Sequence, residues 1–150
     1  MFFKFGIFIA IFLVILLILK KDKTRSDRIL SYWLCLIAIH LFFFHLRDSE
    51  LMVEMPYLIG VDFTFPILQS VFLYFYARSI TGNSLSLKET LIHLIPALIL
   101  LVTSIPFFIM DDETKINIVI RRTNHNYDWY DYLNTIFVII SGFGYCVATL

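Results

Sequence analysis

Residues 19–33 read LKKDKTRSDRILSYW. Lys20, Lys21, Lys23, Arg25 and Arg28 stand together there with only Asp22 and Asp27 against them, and apolar sequence runs on at both sides. A nucleic-acid patch, a flexible linker and a membrane-topology signal share this composition, so the flanks must separate them. Upstream lies FGIFIAIFLVILLIL, residues 5–19, extended by Phe2 and Phe3. A helix rises about 1.5 Å per residue, so about 18 such residues nearly cross a hydrocarbon core of about 30 Å, and Lys4 can snorkel outward. A cleaved signal peptide needs its positive charge before the apolar stretch and small residues after it. This segment has the reverse, and it reads as a retained first span. Downstream, ILSYWLCLIAIHLFFFHL covers residues 29–46. Thr24 with Asp27 approximates a capping box that opens a second helical span. Tyr32 and Trp33 lie where amphipathic rings favour the headgroup region.

The remaining chain repeats the pattern. Hydrophobic residues make up 59% and charged residues 16%, against about a quarter charged in a typical soluble domain. The charges gather in short clusters between long apolar runs, the distribution of an integral membrane protein. Formal net charge is zero, so the chain has no polyelectrolyte character with which to hold DNA or RNA, and no direct nucleic-acid binding is expected. A third run reads FTFPILQSVFLYFYARSITGN from Phe63; Asp62 or Thr64 can cap it, Pro66 suits its first turn, and Gly82 suits its C-terminal cap. A fourth opens with the Ser86-x-x-Glu89 capping box and continues to Met110. Pro96 and Pro106 lie within it, and a kink rather than a break is expected, because Thr103 and Ser104 can satisfy freed backbone groups. The last run, LNTIFVIISGFGYCVATL, spans residues 133–150; Gly142 and Gly144 would let a neighbouring helix come close. Cys35 and Cys146 sit inside apolar runs and are expected to be small buried hydrophobes. The expectation is an all-α, polytopic transmembrane bundle in one domain, residues 1–150, with about five spans at 2–19, 29–46, 63–80, 87–110 and 133–150.

Charge in the connections sets the orientation. Residues 20–28 hold the basic island, and residues 78–90 hold Arg78 and Lys88 against Glu89. Residues 47–62 hold Arg47 against Asp48, Glu50, Glu54 and Asp62. Residues 111–132, read as a loop, mix Lys115, Arg121 and Arg122 with five acidic residues. Cytoplasmic loops carry the lysine and arginine excess. Connections one and three are therefore placed inside and the N-terminus outside, with Lys20, Lys21, Lys23, Arg25 and Arg28 as the topology determinants and lipid headgroups as their partners.

The core of the expected bundle contains no Asp, Glu, Lys or Arg, which argues against a pump, and no catalytic set is visible, so no enzymatic activity is expected. No cofactor or metal site is indicated: His40 and His45, five apart, do not share a helix face. Three residues stand out as ligand-binding or switch candidates. His93 lies three before Pro96, which leaves the Ile92 carbonyl without its helical partner, and Gln69 is a polar side chain within the third span. The structural alternatives are a locally stabilised kink at His93 and Pro96 and an interhelical hydrogen bond at Gln69. In the fourth connection, Tyr127, Trp129, Tyr130 and Tyr132 are expected to form an aromatic belt at the outer interface.

Three stretches taken together, KKDKTRSDRIL, FPILQSVFLYFYARSIT and LIHLIP, resemble the multi-spanning N-terminal region of AraC-type transcriptional regulators of Bacteroidetes-like bacteria. The resemblance covers roughly residues 15–100. It matches Lys20, Ser26 and Asp27 in the first connection, Pro66, Tyr74 and Tyr76 in the third span, and His93 with Pro96 in the fourth. The chain departs at Gln69-Ser70-Val71, where the family commonly has His-Gly-Pro, and it carries no recognisable helix-turn-helix. The resemblance implies a sensory domain in a bacterial cytoplasmic (inner) membrane, truncated or stand-alone, acting through self-association or a cytoplasmic DNA-binding partner. The alternative is a small integral membrane transport or channel component.

Overall fold

The computed structural model describes residues 2–49, 51–83 and 85–150, without the side chain of Tyr130. Ordered chain in these residues is helical, with no strand. Helix α1 (Phe2–Leu19) runs into the island, and α2 (Arg25–Asp48) returns from it. The Thr24 side chain accepts from the Asp27 N–H while the Asp27 carboxylate accepts from the Thr24 N–H at 2.8 Å, so α2 opens on the expected capping box. Such a cap contributes about 1 kcal/mol. A short helix α3 (Leu51–Glu54) and two 3-10 turns, Pro56–Leu58 and Val61–Thr64, lead into α4 (Phe65–Ile80). Gly60, between the turns, has φ of 90°, and an added Cβ would come within 2.8 Å of the Phe107 ring. Only glycine combines that left-handed backbone with that approach.

Gly82 ends the α4 region as expected, with φ of 78° and the Asn83 N–H bonded back to the Arg78 carbonyl at 3.1 Å. Helix α5 (Leu87–Thr103) opens on the Ser86–Glu89 box and carries Pro96 without interruption. The expected kink is instead a break further on. Pro106 has no N–H to give the Val102 carbonyl, so α5 stops at Thr103 and a new turn, α6 (Ile105–Phe108), starts with Pro106 in its first positions. Ser104, 2% exposed, seals the joint by donating its hydroxyl to the Leu100 carbonyl at 2.7 Å.

The fourth connection is largely helical, where a loop was expected. Asp111 caps α7 (Asp112–Thr123), accepting from the Thr114 N–H at 2.8 Å, and α8 (Trp129–Ala148) follows. Ile116, Ile118 and Val119 of α7 pack against Phe43, Leu46, Met52, Ile59 and Phe107. That apolar cluster folds connections two and four over one end of the bundle. At the other end, Arg25 donates to the Leu85 carbonyl at 2.7 Å and Ser26 meets Ser79 at 3.0 Å, tying connections one and three together.

Helix α4 is the centre. It packs against α2, α5 and α8, with Ile67 and Val71 fully buried, while α1 lies along α2. Gly142 sits over Ser70 of α4 and permits that approach; Gly144 faces open space and does not. The outward faces are apolar: Phe8 of α1 is 68% exposed and Phe143 of α8 is 71% exposed. Cys35 and Cys146 are free and exposed rather than buried, as befits small apolar side chains on surfaces whose solvent is lipid. Among the described residues, four stretches are long and apolar enough to cross a membrane: Phe2–Leu19, Arg25–Asp48, Pro56–Ile80 and Asp131–Ala148. Helix α5, cut at Thr103, has 17 residues and falls just short of them.

Candidate functional site

The connections folded over the bundle border an open cavity of about 550 Å³, within the size range of small-molecule sites. Its floor comes from the spans: His40 and Phe44 of α2, Pro66 at the start of α4, Leu100 of α5, and Asn134, Thr135 and Val138 of α8. Its roof comes from Gly60, Asp62 and Phe63 of the second connection and from Val119 and Arg122 of α7. Two ion pairs brace it. Arg47 Nη2 donates to Asp62 Oδ2 at 2.6 Å, and Arg122 Nη2 donates to Asp131 Oδ1. Arg122 also lies over the Phe63 and Phe107 rings, 5.5 and 5.8 Å from their centroids, which fixes α7 to the roof by cation–π attraction. Arg121 pairs with Asp128, and the Asp131 carboxylate accepts from the Asp128 N–H at 3.0 Å, so the start of α8 is held to the end of α7.

Gln69 lies behind this cavity and joins two helices. Its carbonyl accepts from Trp33 Nε1 at 3.1 Å, and its amide nitrogen is 3.2 Å from His40 Nδ1. His40 lines the cavity, so Gln69 is one hydrogen bond from the wall. The Trp33 indole, expected at the headgroups, is instead turned inward by this bond, while Tyr32 stays 64% exposed.

His93 forms a separate polar contact toward the opposite end. The Tyr145 hydroxyl of α8 donates to the His93 carbonyl at 2.9 Å, and His93 Nδ1 lies 3.4 Å from the same oxygen. Tyr74 packs beside both rings, 4.7 Å from His93 and 5.8 Å from Tyr145 between centroids. The bond serves the carbonyl of His93, not that of Ile92, which Pro96 strands. Among the described lining residues of the cavity, neither His93 nor Pro96 appears, so the structure does not bring the three sequence candidates together.

The island divides its charges. Lys20 pairs with Asp27 at 2.7 Å and Arg25 reaches Leu85, while Lys21, Lys23 and Arg28 are exposed. Of the expected aromatic belt, Tyr127, Trp129 and Tyr132 are exposed, Tyr127 also lining the cavity, and the Tyr130 side chain lies outside the described residues. Among the described residues no cluster of three or more His, Cys, Asp or Glu has the geometry to hold a metal ion.

Fold and site define an all-helical protein with, among the described residues, four membrane-length apolar stretches and a cavity at one end that two ion pairs brace. Comparison with protein-family models, with curated proteins and with solved structures gives no match.

Proposed function

We propose that this chain is the signal-receiving membrane domain of a bacterial regulator, related to the membrane part of AraC-type transcriptional regulators and seated in the cytoplasmic membrane. In this reading the chain crosses the bilayer five times with its N-terminus outside. Helix α5 is the additional span: its 17 residues extend about 25 Å, and α6 carries the apolar run onward. The contacts between connections one and three at one end, and between two and four at the other, support the odd number of passages. The basic excess of the first connection then assigns the cytoplasm to the end that also carries Leu150.

The cavity is the observation that carries the sensory reading. It lies at the external end, and α8 runs from its wall, at Asn134 and Thr135, to the cytoplasmic end, touching His93 through Tyr145 on the way. Occupancy that repositions α7 and the start of α8 would shift α8 against α4 and α5. Gln69 would carry the same shift to α2 through His40 and Trp33. The relay rests on packed helices with alternative arrangements, biased by a ligand that prefers one of them.

A dimerisation-dependent DNA-binding reporter joined after Leu150 tests the reading. Tyr145→Phe, which removes the bond to His93, and Gln69→Leu, which removes the bridge to α2, are expected to change reporter output at unchanged membrane level. Output indifferent to both would contradict a sensory role.

A further inference from the structure

The ion pairs leave two atoms of the lining residues unexplained, because Asp62 Oδ1 and Arg122 Nε are both buried with no hydrogen-bond partner among the described residues. Asp62 is 5% exposed; Arg47 occupies its Oδ2, and Oδ1 is buried with no hydrogen-bond partner among the described residues. A buried carboxylate oxygen without a donor costs about 1–3 kcal/mol, so it marks a place where a donor belongs. The formal charges around it already cancel, with Arg47 against Asp62 and Arg122 against Asp131. A cationic or anionic head group would leave the site with net charge, whereas a neutral one would not. The rest of the wall is mixed: His40, Asn134 and Thr135 are polar, while Pro66, Leu100 and Val138 form an apolar side that leads to Ile139, which is 62% exposed in the apolar run of α8. That rim lies within the membrane-length stretch Asp131–Ala148.

We infer that the cavity takes a small uncharged amphiphile, its hydroxyl or N–H donating to Asp62 Oδ1 and its apolar body lying along α8 and α5. This rests on the sensory reading only for its biological purpose; the site and its ligand class stand on the cavity alone.

The test uses the full chain in lipid nanodiscs and a diazirine-bearing eight-carbon alkanol as probe, with labelled residues mapped by mass spectrometry. Labelling is expected to concentrate on lining residues of α7 and α8. Unlabelled 1-octanol should displace the probe at a membrane concentration about tenfold below that needed by methyl octyl ether, octanoate or octylammonium, the factor for one hydrogen bond to a charged acceptor. Asp62→Leu should abolish the advantage of octanol. Ile139→Trp, which fills the rim without touching either ion pair, should remove cavity labelling and so covers the case in which Asp62→Leu fails to fold. Equal displacement by all four compounds, preference for a charged one, or labelling spread evenly over the outer face of α1 would overturn the inference. A reporter that stays silent while octanol-selective labelling persists would sink the sensory reading and leave the ligand class intact.

Discussion

Arg47 and Asp62 share one ion pair but not one environment: the arginine side chain is about half exposed and the carboxylate is buried. Removing the arginine strands a buried charge, whereas neutralising the aspartate leaves a guanidinium that reaches solvent or headgroups. Arg47→Ala is therefore expected to destabilise the fold by about 3 kcal/mol, and Asp62→Asn by clearly less, in reversible unfolding with a denaturing detergent. Equal losses would mean that the pair is as open to water as an ordinary surface bridge. This pair was not legible in the sequence, because both residues stood in a stretch read as a loop and nothing local links positions 15 apart. The caps were legible for the opposite reason: Thr24 with Asp27, Ser86 with Glu89 and Gly82 act on backbone within a turn or two. Gln69 was legible as a polar residue in an apolar span, but Trp33 and His40 as its partners depend on how α2 rotates against α4.

At the scale of elements, the apolar runs located each long helix but not its ends, with 87–110 observed as Leu87–Thr103 and 133–150 as Trp129–Ala148; a stretch surrounded by lipid must satisfy its backbone internally. Helix α7 escaped notice because its residues are mixed rather than apolar, and charge between spans reads as loop. Its Asp111 N-cap, basic last turn (Arg121, Arg122) and apolar Ile116 and Val119 were the available signals. The Asp111 carboxylate is held below its ordinary pKa, first by the Thr114 N–H and then by the Thr114 hydroxyl. A depressed folded pKa means the cap acts in full above the unfolded carboxylate value, about 3.9, and is lost as pH falls through the lower folded value. Hydrogen-exchange protection of the Thr114 amide, corrected for intrinsic rate, should fall over that acid window. Asp111→Asn, which caps without titrating, should remove the dependence. Protection that falls identically in both proteins would place the acid-sensitive group elsewhere. At Pro106 the expected kink is a break, since one missing donor beside a buried serine suffices to restart the helix.

For the whole molecule, the alternation of connections is the property on which the proposed function turns, because in that proposal it decides which end receives the cavity and which end carries Leu150. The sequence suggests that alternation through lysine and arginine, and in the structure Arg25 meets Leu85 at one end while the Phe43–Met52–Phe107 cluster lies at the other. The cavity itself was invisible beforehand, since its wall draws on α2, α4, α5, α7 and α8 and exists only once two connections fold back together. The most direct measurement is thiol labelling with a membrane-impermeant maleimide on intact cells, after Cys35 and Cys146 are replaced by alanine. Cysteines introduced at Ser49 and Glu113 should react at once, and cysteines at Asp22 and Asn83 only after the membrane is permeabilised. The reverse pattern, or Asn83 reacting on the same side as Glu113, would contradict the five-span, N-outside arrangement.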